Sequence, residues 1–345
     1  MLLSKVSEMV NKALKPLDIA VVRRQYFERF KEYDEKCEGR WFVKGQLPPG
    51  AAEYLRQDNP RLAEYKRRYN GHPATCNSVW QPKHLDQDLN FAYFRGDNAY
   101  IWQTRGVELD LAMAYAFSTY YVQTIDTLGL FAKLEEDGLF GAITYTVAQK
   151  KVSRDLLDSV MEINFLDRHL KLSRMAHVNV LDIGAGYGRL AYRLVTGLPN
   201  VQVLCADAIP ESTFLCEYYL RYRGAPERAR VLPLDEIETI VMTTPIDIAT
   251  NIHSFSECTL ESIEWWIDLI SKAKIKYFMI VPNAKDKLLS MESDKSKKDF
   301  SKVLERGGYK LMATEPVYTT DTLASLYGLY PDRSYYLFRN TRVKD

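Results

Sequence analysis

Cysteine is scarce in this chain, five residues in 345, and the five are scattered. Cys37, Cys76, Cys205, Cys216 and Cys258 form no CxxC pair and no zinc spacing. That count and scatter exclude a disulfide-stapled scaffold and suit reduced thiols in a cytoplasmic protein. A surplus of one charge is lacking too: 46 Lys+Arg against 45 Asp+Glu leave a net charge of +1. With no basic block, no nucleic-acid partner is expected. No apolar run approaches the length of a membrane span, so no membrane partner is expected. Residues 1–15 mix Leu2, Leu3, Val6, Val10 and Leu14 with charges. That spacing predicts an amphipathic helix, not a secretory signal. The rest of the composition, 46% hydrophobic and 26% charged, is that of a globular protein with one large or two ordinary domains.

Glycine is not abundant either, yet three glycines stand at alternate positions in Asp182-Ile183-Gly184-Ala185-Gly186-Tyr187-Gly188-Arg189. The apolar run Val178-Asn179-Val180-Leu181 precedes them and Leu190-Ala191-Tyr192-Arg193-Leu194 follows, which reads as strand, turn and helix. The glycines let the chain bend sharply and let a ligand approach where a Cβ would stand. A dinucleotide fingerprint needs a third glycine where Arg189 stands, so a dehydrogenase is the weakest reading. Asp182, two positions before the first glycine, would repel a pyrophosphate but can engage an ammonium group. S-adenosylmethionine (SAM) carries that group, and the loop resembles the first motif of the class I SAM-dependent methyltransferases. Val201-Gln202-Val203-Leu204-Cys205-Ala206-Asp207 reads as a second strand ending in an acid. Asp207 stands where a carboxylate can accept both ribose hydroxyls of a nucleotide. Gly184, Ala185, Gly186 and Ala208 complete the expected cofactor set with Asp182 and Asp207.

The rhythm of the chain changes near residue 150. Beyond it, strand candidates at 178–181, 201–207, 229–232, 246–250 and 275–281 alternate with helical segments. A terminal pair at 309–314 and 334–338 closes the sheet. This order predicts an α/β fold, a doubly wound and mostly parallel sheet covered on both sides. Residues 151–345 are expected to form the cofactor-binding domain. Residues 1–150, rich in Tyr, Arg and Glu, are expected to be a mainly helical region that binds substrate, covers the site or pairs subunits into a homo-oligomer. Its most evident helix is 107–124. The charged stretch 285–298 is expected to be exposed, as an inserted loop or a surface helix.

Candidate chemistry follows the fourth strand, in Asn251-Ile252-His253-Ser254-Phe255-Ser256-Glu257. Ligands of open parallel sheets sit outside the carboxyl ends of the strands. His253 titrates near neutral pH and can take a hydroxyl proton, Glu257 can orient or charge-stabilise that imidazole, and Asn251 can hold the cofactor or a substrate hydroxyl. Upstream, Leu156, Val160, Ile163 and Leu170 share a helical face that Ser153 can cap. Arg154 and Ser159 of that helix are candidates for the carboxylate of SAM. Mg²⁺ is considered but not favoured: a hard cation wants several oxygen ligands, and Asn251 and Asn283 stand where acids would be needed. No metal ligand is therefore assigned. The remaining histidines read as structural, though His84 with Asp86 and Asp88 forms a minor ligand candidate.

The stretch 251–257, followed by Ile263-Glu264-Trp265, resembles the sugar O-methyltransferase family of bacterial sugar and polysaccharide pathways. Val152-Ser153-Arg154-Asp155-Leu156-Leu157-Asp158-Ser159 resembles it too, as do Phe94-Arg95-Gly96-Asp97 and Gly138-Leu139-Phe140-Gly141. The resemblance covers residues 90–340. It implies SAM as methyl donor and a hydroxyl of a sugar or oligosaccharide as acceptor. Two competing readings are an O-methyltransferase for a non-sugar small molecule and a SAM-binding scaffold without catalysis.

Overall fold

The computed structural model describes residues 9–17, 21, 46–75, 80, 89–96, 111–283, 287–319 and 322–344. Cys37, Cys76, the group His84, Asp86 and Asp88, and the start of the 107–124 helix lie outside them. Helix α1 (Pro60–Tyr69) begins on a proline, and the Asn59 side chain accepts from the Arg61 N–H. Helix α2 (Leu111–Ile125) is followed by a hairpin of β1 (Thr144–Val147) and β2 (Lys150–Ser153). Then come α3 (Arg154–Leu170), β3 (Val178–Ile183), α4 (Arg189–Gly197), β4 (Val201–Ala206) and α5 (Pro210–Tyr222). After β5 (Ala229–Val231) and α6 (Ile237–Thr243) follow β6 (Ile248–Ile252), α7 (Leu260–Lys272) and β7 (Tyr277–Val281). Helix α8 (Ser301–Arg306), β8 (Tyr309–Pro316) and β9 (Ser334–Asn340) end the chain. Among the described residues no helix is long and apolar enough to cross a membrane.

The expected doubly wound sheet is present, with strand order β5-β4-β3-β6-β7-β9-β8. Strands β3 to β7 pair in parallel, and the β8–β9 pair joins β7 antiparallel. Each strand expected from the sequence appears, within a few residues of its expected limits. The hairpin β1–β2 was not foreseen. Its two turn residues, Ala148 and Gln149, hold positive φ of 48° and 64°, so the Asn-Gly signature of such a turn is missing. Ser153 ends the hairpin and caps α3, its Oγ accepting from the Leu156 N–H at 3.1 Å. The stretch 287–298 forms turns and an isolated bridge from Leu289 to Asp299, with no helix.

The pleat sets two apolar layers. Val178 and Val180 of β3 point to one face, with α2 and α3 against them; Leu181 and Ile183 point to the other, with α5 and α7. The N-terminal region enters both layers: Ala114, Tyr115 and Val122 of α2 join the first, and Leu62, Tyr65 and Tyr69 of α1 the second. Polar contacts fasten it as well. Arg61 on α1 pairs with Glu217 on α5 at 2.7 Å, and the hydroxyls of Tyr69 and Thr213 lie 2.8 Å apart. The segments around Phe94 and Phe140 meet each other. Phe94 stacks on Phe140 at 4.9 Å, and the Arg95 N–H donates to the Phe140 carbonyl. The Arg95 guanidinium is fully buried and donates to Glu136 at 2.7 Å and Asp155 at 3.2 Å; Arg193 of α4 also reaches Glu136, at 3.1 Å. Glu136 thus ties the N-terminal region to the sheet-bearing part by buried charge, and Arg95 acts in structure rather than at the site.

Candidate active site

The strand order reverses at β3, since the chain runs from β3 outward to β4 and β5 on one side and returns to β6 and β7 on the other. Ligands of such sheets bind in the crevice outside the carboxyl ends at this switch point. A cavity of about 130 Å³ lies there, and three strand ends face it. The end of β3 supplies Asp182 and the glycine turn, the end of β4 supplies Asp207 and Ala208, and the end of β6 supplies His253, Ser254 and Glu257.

The glycine turn is fastened to its neighbours. The N–H groups of Gly184 and Ala185 donate to the Ala206 carbonyl at 2.8 and 3.2 Å. Gly184 has φ of +70°, and a Cβ built on it would stand 2.2 Å from Ser254 Oγ. Only glycine therefore lets the turn close on the segment after β6. Gly188 has φ of +85° and caps α4; a Cβ there would meet Cys216 Sγ at 2.9 Å. Arg189 opens α4 and makes a bidentate pair with Glu162 of α3, at 2.7 and 2.9 Å. The residue that breaks the dinucleotide pattern thus fixes α3 against the turn.

Two buried carboxylates frame the turn. Asp182 and Thr250 are register partners on β3 and β6, and the Thr250 hydroxyl donates to Asp182 at 2.7 Å. Burial pushes Asp182 up to about 6, although this hydrogen bond and Arg189 oppose the shift. Asp207 accepts from the Ile209 N–H at 2.8 Å and the Gly186 N–H at 2.9 Å, one on each oxygen. Burial still carries it up to about 7, with the Asp182 charge adding to the rise. Both acids sit in a low-dielectric cavity where a bound cation or hydroxyl group favours the ionised form.

His253 occupies a strained place, with φ of +69° and its N–H donating to the Val281 carbonyl at 2.7 Å. Such a conformation costs about 1–3 kcal/mol for a non-glycine residue and is common at functional sites. Its ring partner is Arg333 from the segment between β8 and β9, 2.9 Å from Nε2, and not Glu257 as expected. A guanidinium only donates, so Nε2 accepts and the ring proton resides on Nδ1, which is buried with no partner among the described residues. Burial, then the charges of Arg333, Arg154 and Arg189, push the imidazole well below its ordinary range. It is neutral at pH 7, and its basic lone pair faces a cation.

Glu257 lines the same cavity and has other partners. Trp80 Nε1–H donates to Oε2 at 2.8 Å, and the Asn283 amide donates to Oε1 at 3.1 Å. Burial pushes the carboxyl up to about 7, against both hydrogen bonds and the charge of Arg333.

Arg154 lines the cavity, pairs with Asp158 at 3.2 Å and lies 4.0 Å over the Tyr330 ring. Arg333 lies 4.3 Å over that ring as well. Two expected cofactor residues do not line the cavity. The Asn251 amide donates to the Ile183 carbonyl at 2.9 Å and accepts from the Phe255 N–H at 3.0 Å, so it holds the segment after β6 to β3. Ser159 donates to the Asp155 carbonyl at 2.6 Å and accepts from Arg189 at 2.9 Å. Sequence reasoning missed Trp80 and Arg333 as site residues, and weighed Asn283 only against a metal. None of the three stands in a helix or strand, and no local pattern announces Trp80 or Arg333. Among the described residues no group of three or more His, Cys, Asp or Glu side chains is placed to hold a metal ion.

No protein-family model matches the chain, and no curated protein matches it. Solved structures do. The StiE O-MT shares 14% identity with a TM-score of 0.39, over 55% of this chain and 77% of that one. Magnesium protoporphyrin IX methyltransferase from Synechocystis PCC 6803, solved with bound SAM, shares 12% identity with a TM-score of 0.39, over 69% of this chain and 100% of that one. The [4+2]-cyclase SpnF shares 15% identity with a TM-score of 0.38, over 65% of this chain and 96% of that one. The doubly wound fold follows from the strand order itself.

Proposed function

We propose that the protein is a SAM-dependent O-methyltransferase acting on a hydroxyl of a sugar or sugar-bearing molecule. The observation that carries this reading is the placing of two buried carboxylates, Asp182 and Asp207, on either side of a glycine turn at the switch point. This donor set fits SAM. Asp207, fixed by two backbone N–H groups, is oriented to accept from ribose hydroxyls. Asp182 offers negative charge to the ammonium end, and Ala208 leaves room beside the ribose. A dinucleotide would bring its pyrophosphate to the glycine turn against Asp182, which opposes an oxidoreductase reading.

Bound SAM supplies an activated methyl carbon and a neutral thioether leaving group. The chain's residues must align the acceptor and receive its proton. Alignment is worth about 7–11 kcal/mol and a positioned base roughly 10²–10⁴-fold. Two ionisable side chains after β6, His253 and Glu257, face the cavity for that purpose. The sugar as acceptor is supported by the resemblance at residues 251–257 and 263–265, and the indole of Trp80 in the cavity wall offers a face on which a sugar ring can pack. The test is methyl transfer from isotope-labelled SAM to a panel of glycosides and phenols. Label in the glycosides is the expected result. Label confined to phenols moves the acceptor to a non-sugar molecule, and SAM binding with no transfer makes the protein a scaffold.

A further inference from the structure

The cavity has two proton-accepting side chains at the end of β6, and their surroundings differ in kind. His253 Nε2 receives the Arg333 guanidinium at 2.9 Å. If Nε2 took a proton from an acceptor, two donors would face each other and a second positive charge would appear beside Arg333, with Arg154 and Arg189 near. Taking the proton on Nδ1 requires the ring proton to move to Nε2, which meets the same guanidinium. Glu257 suffers neither problem. Protonation there removes a charge from a half-buried site, and the side chain is fixed at both oxygens by Trp80 and Asn283.

We propose that Glu257 takes the acceptor's proton, and that Trp80, supplied by the segment ahead of the sheet, is the positioning residue that holds its carboxylate in the ionised, aligned state. This rests on the O-methyltransferase reading above. In the step, the acceptor O–H proton passes to a Glu257 oxygen as the hydroxyl oxygen bonds to the methyl carbon. The carbon–sulfur bond breaks and its electron pair stays on sulfur, leaving a neutral thioether and a protonated Glu257. His253 then serves as a fixed neutral group beside Arg333. The assignment gives the N-terminal region a function, since Trp80 of that region lines the cavity. Among the described residues, the ionisable and charged groups coupled to Glu257 include Arg333 between β8 and β9, Asp207 after β4 and the adjacent Cys258. Arg333 favours the ionised carboxylate, Asp207 opposes it, and the indole N–H of Trp80 favours it.

The experiment compares wild type, Glu257→Gln, His253→Gln and Trp80→Phe in methyl transfer to the best glycoside at saturating substrates, with S-adenosylhomocysteine (SAH) affinity measured on each. Glu257→Gln should lose on the order of 10²–10⁴ in kcat while binding SAH within about twofold of wild type. His253→Gln should lose far less. Trp80→Phe keeps an aromatic face but removes the N–H, so the acid limb of its kcat profile should move to higher pH. Wild-type kcat in Glu257→Gln with a slow His253→Gln would overturn the base assignment. An unmoved acid limb in Trp80→Phe would make Trp80 only structural. Absence of transfer by wild type on every acceptor would overturn the underlying reading instead.

Discussion

Removing the Asp207 carboxylate should have two separable effects on cofactor binding. The side chain is held by the N–H groups of Gly186 and Ile209, so its orientation exists before any ligand arrives. Ribose hydroxyls donating to it would gain charge-assisted hydrogen bonds, about 1.5–3 kcal/mol, or roughly 10–150-fold in Kd. Asp207→Ala should weaken SAH binding by that factor. The second effect is on pH. Burial raises Asp207 to about 7, so about one molecule in eleven carries the charge at pH 6 and about nine in ten at pH 8. Wild-type affinity for SAH should therefore rise about tenfold between these values, with protons released on binding. Asp182, raised to about 6, adds about a twofold change over the same range. Asp207→Ala should keep only that smaller slope. Titration calorimetry at pH 6, 7 and 8, in buffers of different ionisation enthalpy, reads both quantities. An affinity within twofold of wild type together with an unchanged pH slope would remove Asp207 from the ribose site.

Two further changes test how the site is supported. Gly184→Ala puts a Cβ 2.2 Å from Ser254 Oγ at a φ of +70°, so overpacking of about 1–3 kcal/mol should add to about 1–2 kcal/mol of backbone cost. SAH binding should fall with the thermal midpoint, and a second change, Ser254→Gly, should restore part of both; unaltered stability in Gly184→Ala would refute the packing. Glu136→Gln removes the carboxylate that buried Arg95 and Arg193 share, leaving Arg95 with Asp155, and should cost about 3–5 kcal/mol in urea unfolding. Burial alone would raise the Glu136 carboxyl, but Arg95 and Arg193 hold it well below its ordinary value. Its contribution is thus present above pH ~4 and is lost as pH falls, so the stability gap between wild type and Glu136→Gln should narrow on acidification; a constant gap would contradict the pairing.

The sheet was legible because each strand announces itself. The buried run at 277–281 is unbroken, the acid-ended strand at 201–207 closes on Asp207, and Gly184, Gly186 and Gly188 mark the turn between β3 and α4. The cap Ser153 was also readable, as a polar residue placed just before apolar periodicity. What was not legible depends on contacts between distant segments. Asn251 looked like a ligand residue by its place on β6, yet its amide bridges Ile183 and Phe255. Glu257 looked like a partner of His253 four positions earlier, but the turn at residues 254–257 delivers it to Trp80, which is 177 positions away in the chain. Arg333 reaches His253 across 80 positions, a pairing that the residue pattern around either one does not encode.

Binding of SAM and a sugar hydroxyl at these strand ends is decided by the structure of the protein with SAH and a glycoside acceptor bound. The ribose hydroxyls should lie within hydrogen-bond distance of Asp207 and the ammonium group should lie on the Asp182 side of the glycine turn. An acceptor hydroxyl should stand between the sulfur and Glu257. A nucleotide bound away from these carboxylates, or an acceptor hydroxyl directed at His253 with Glu257 turned away, would contradict it.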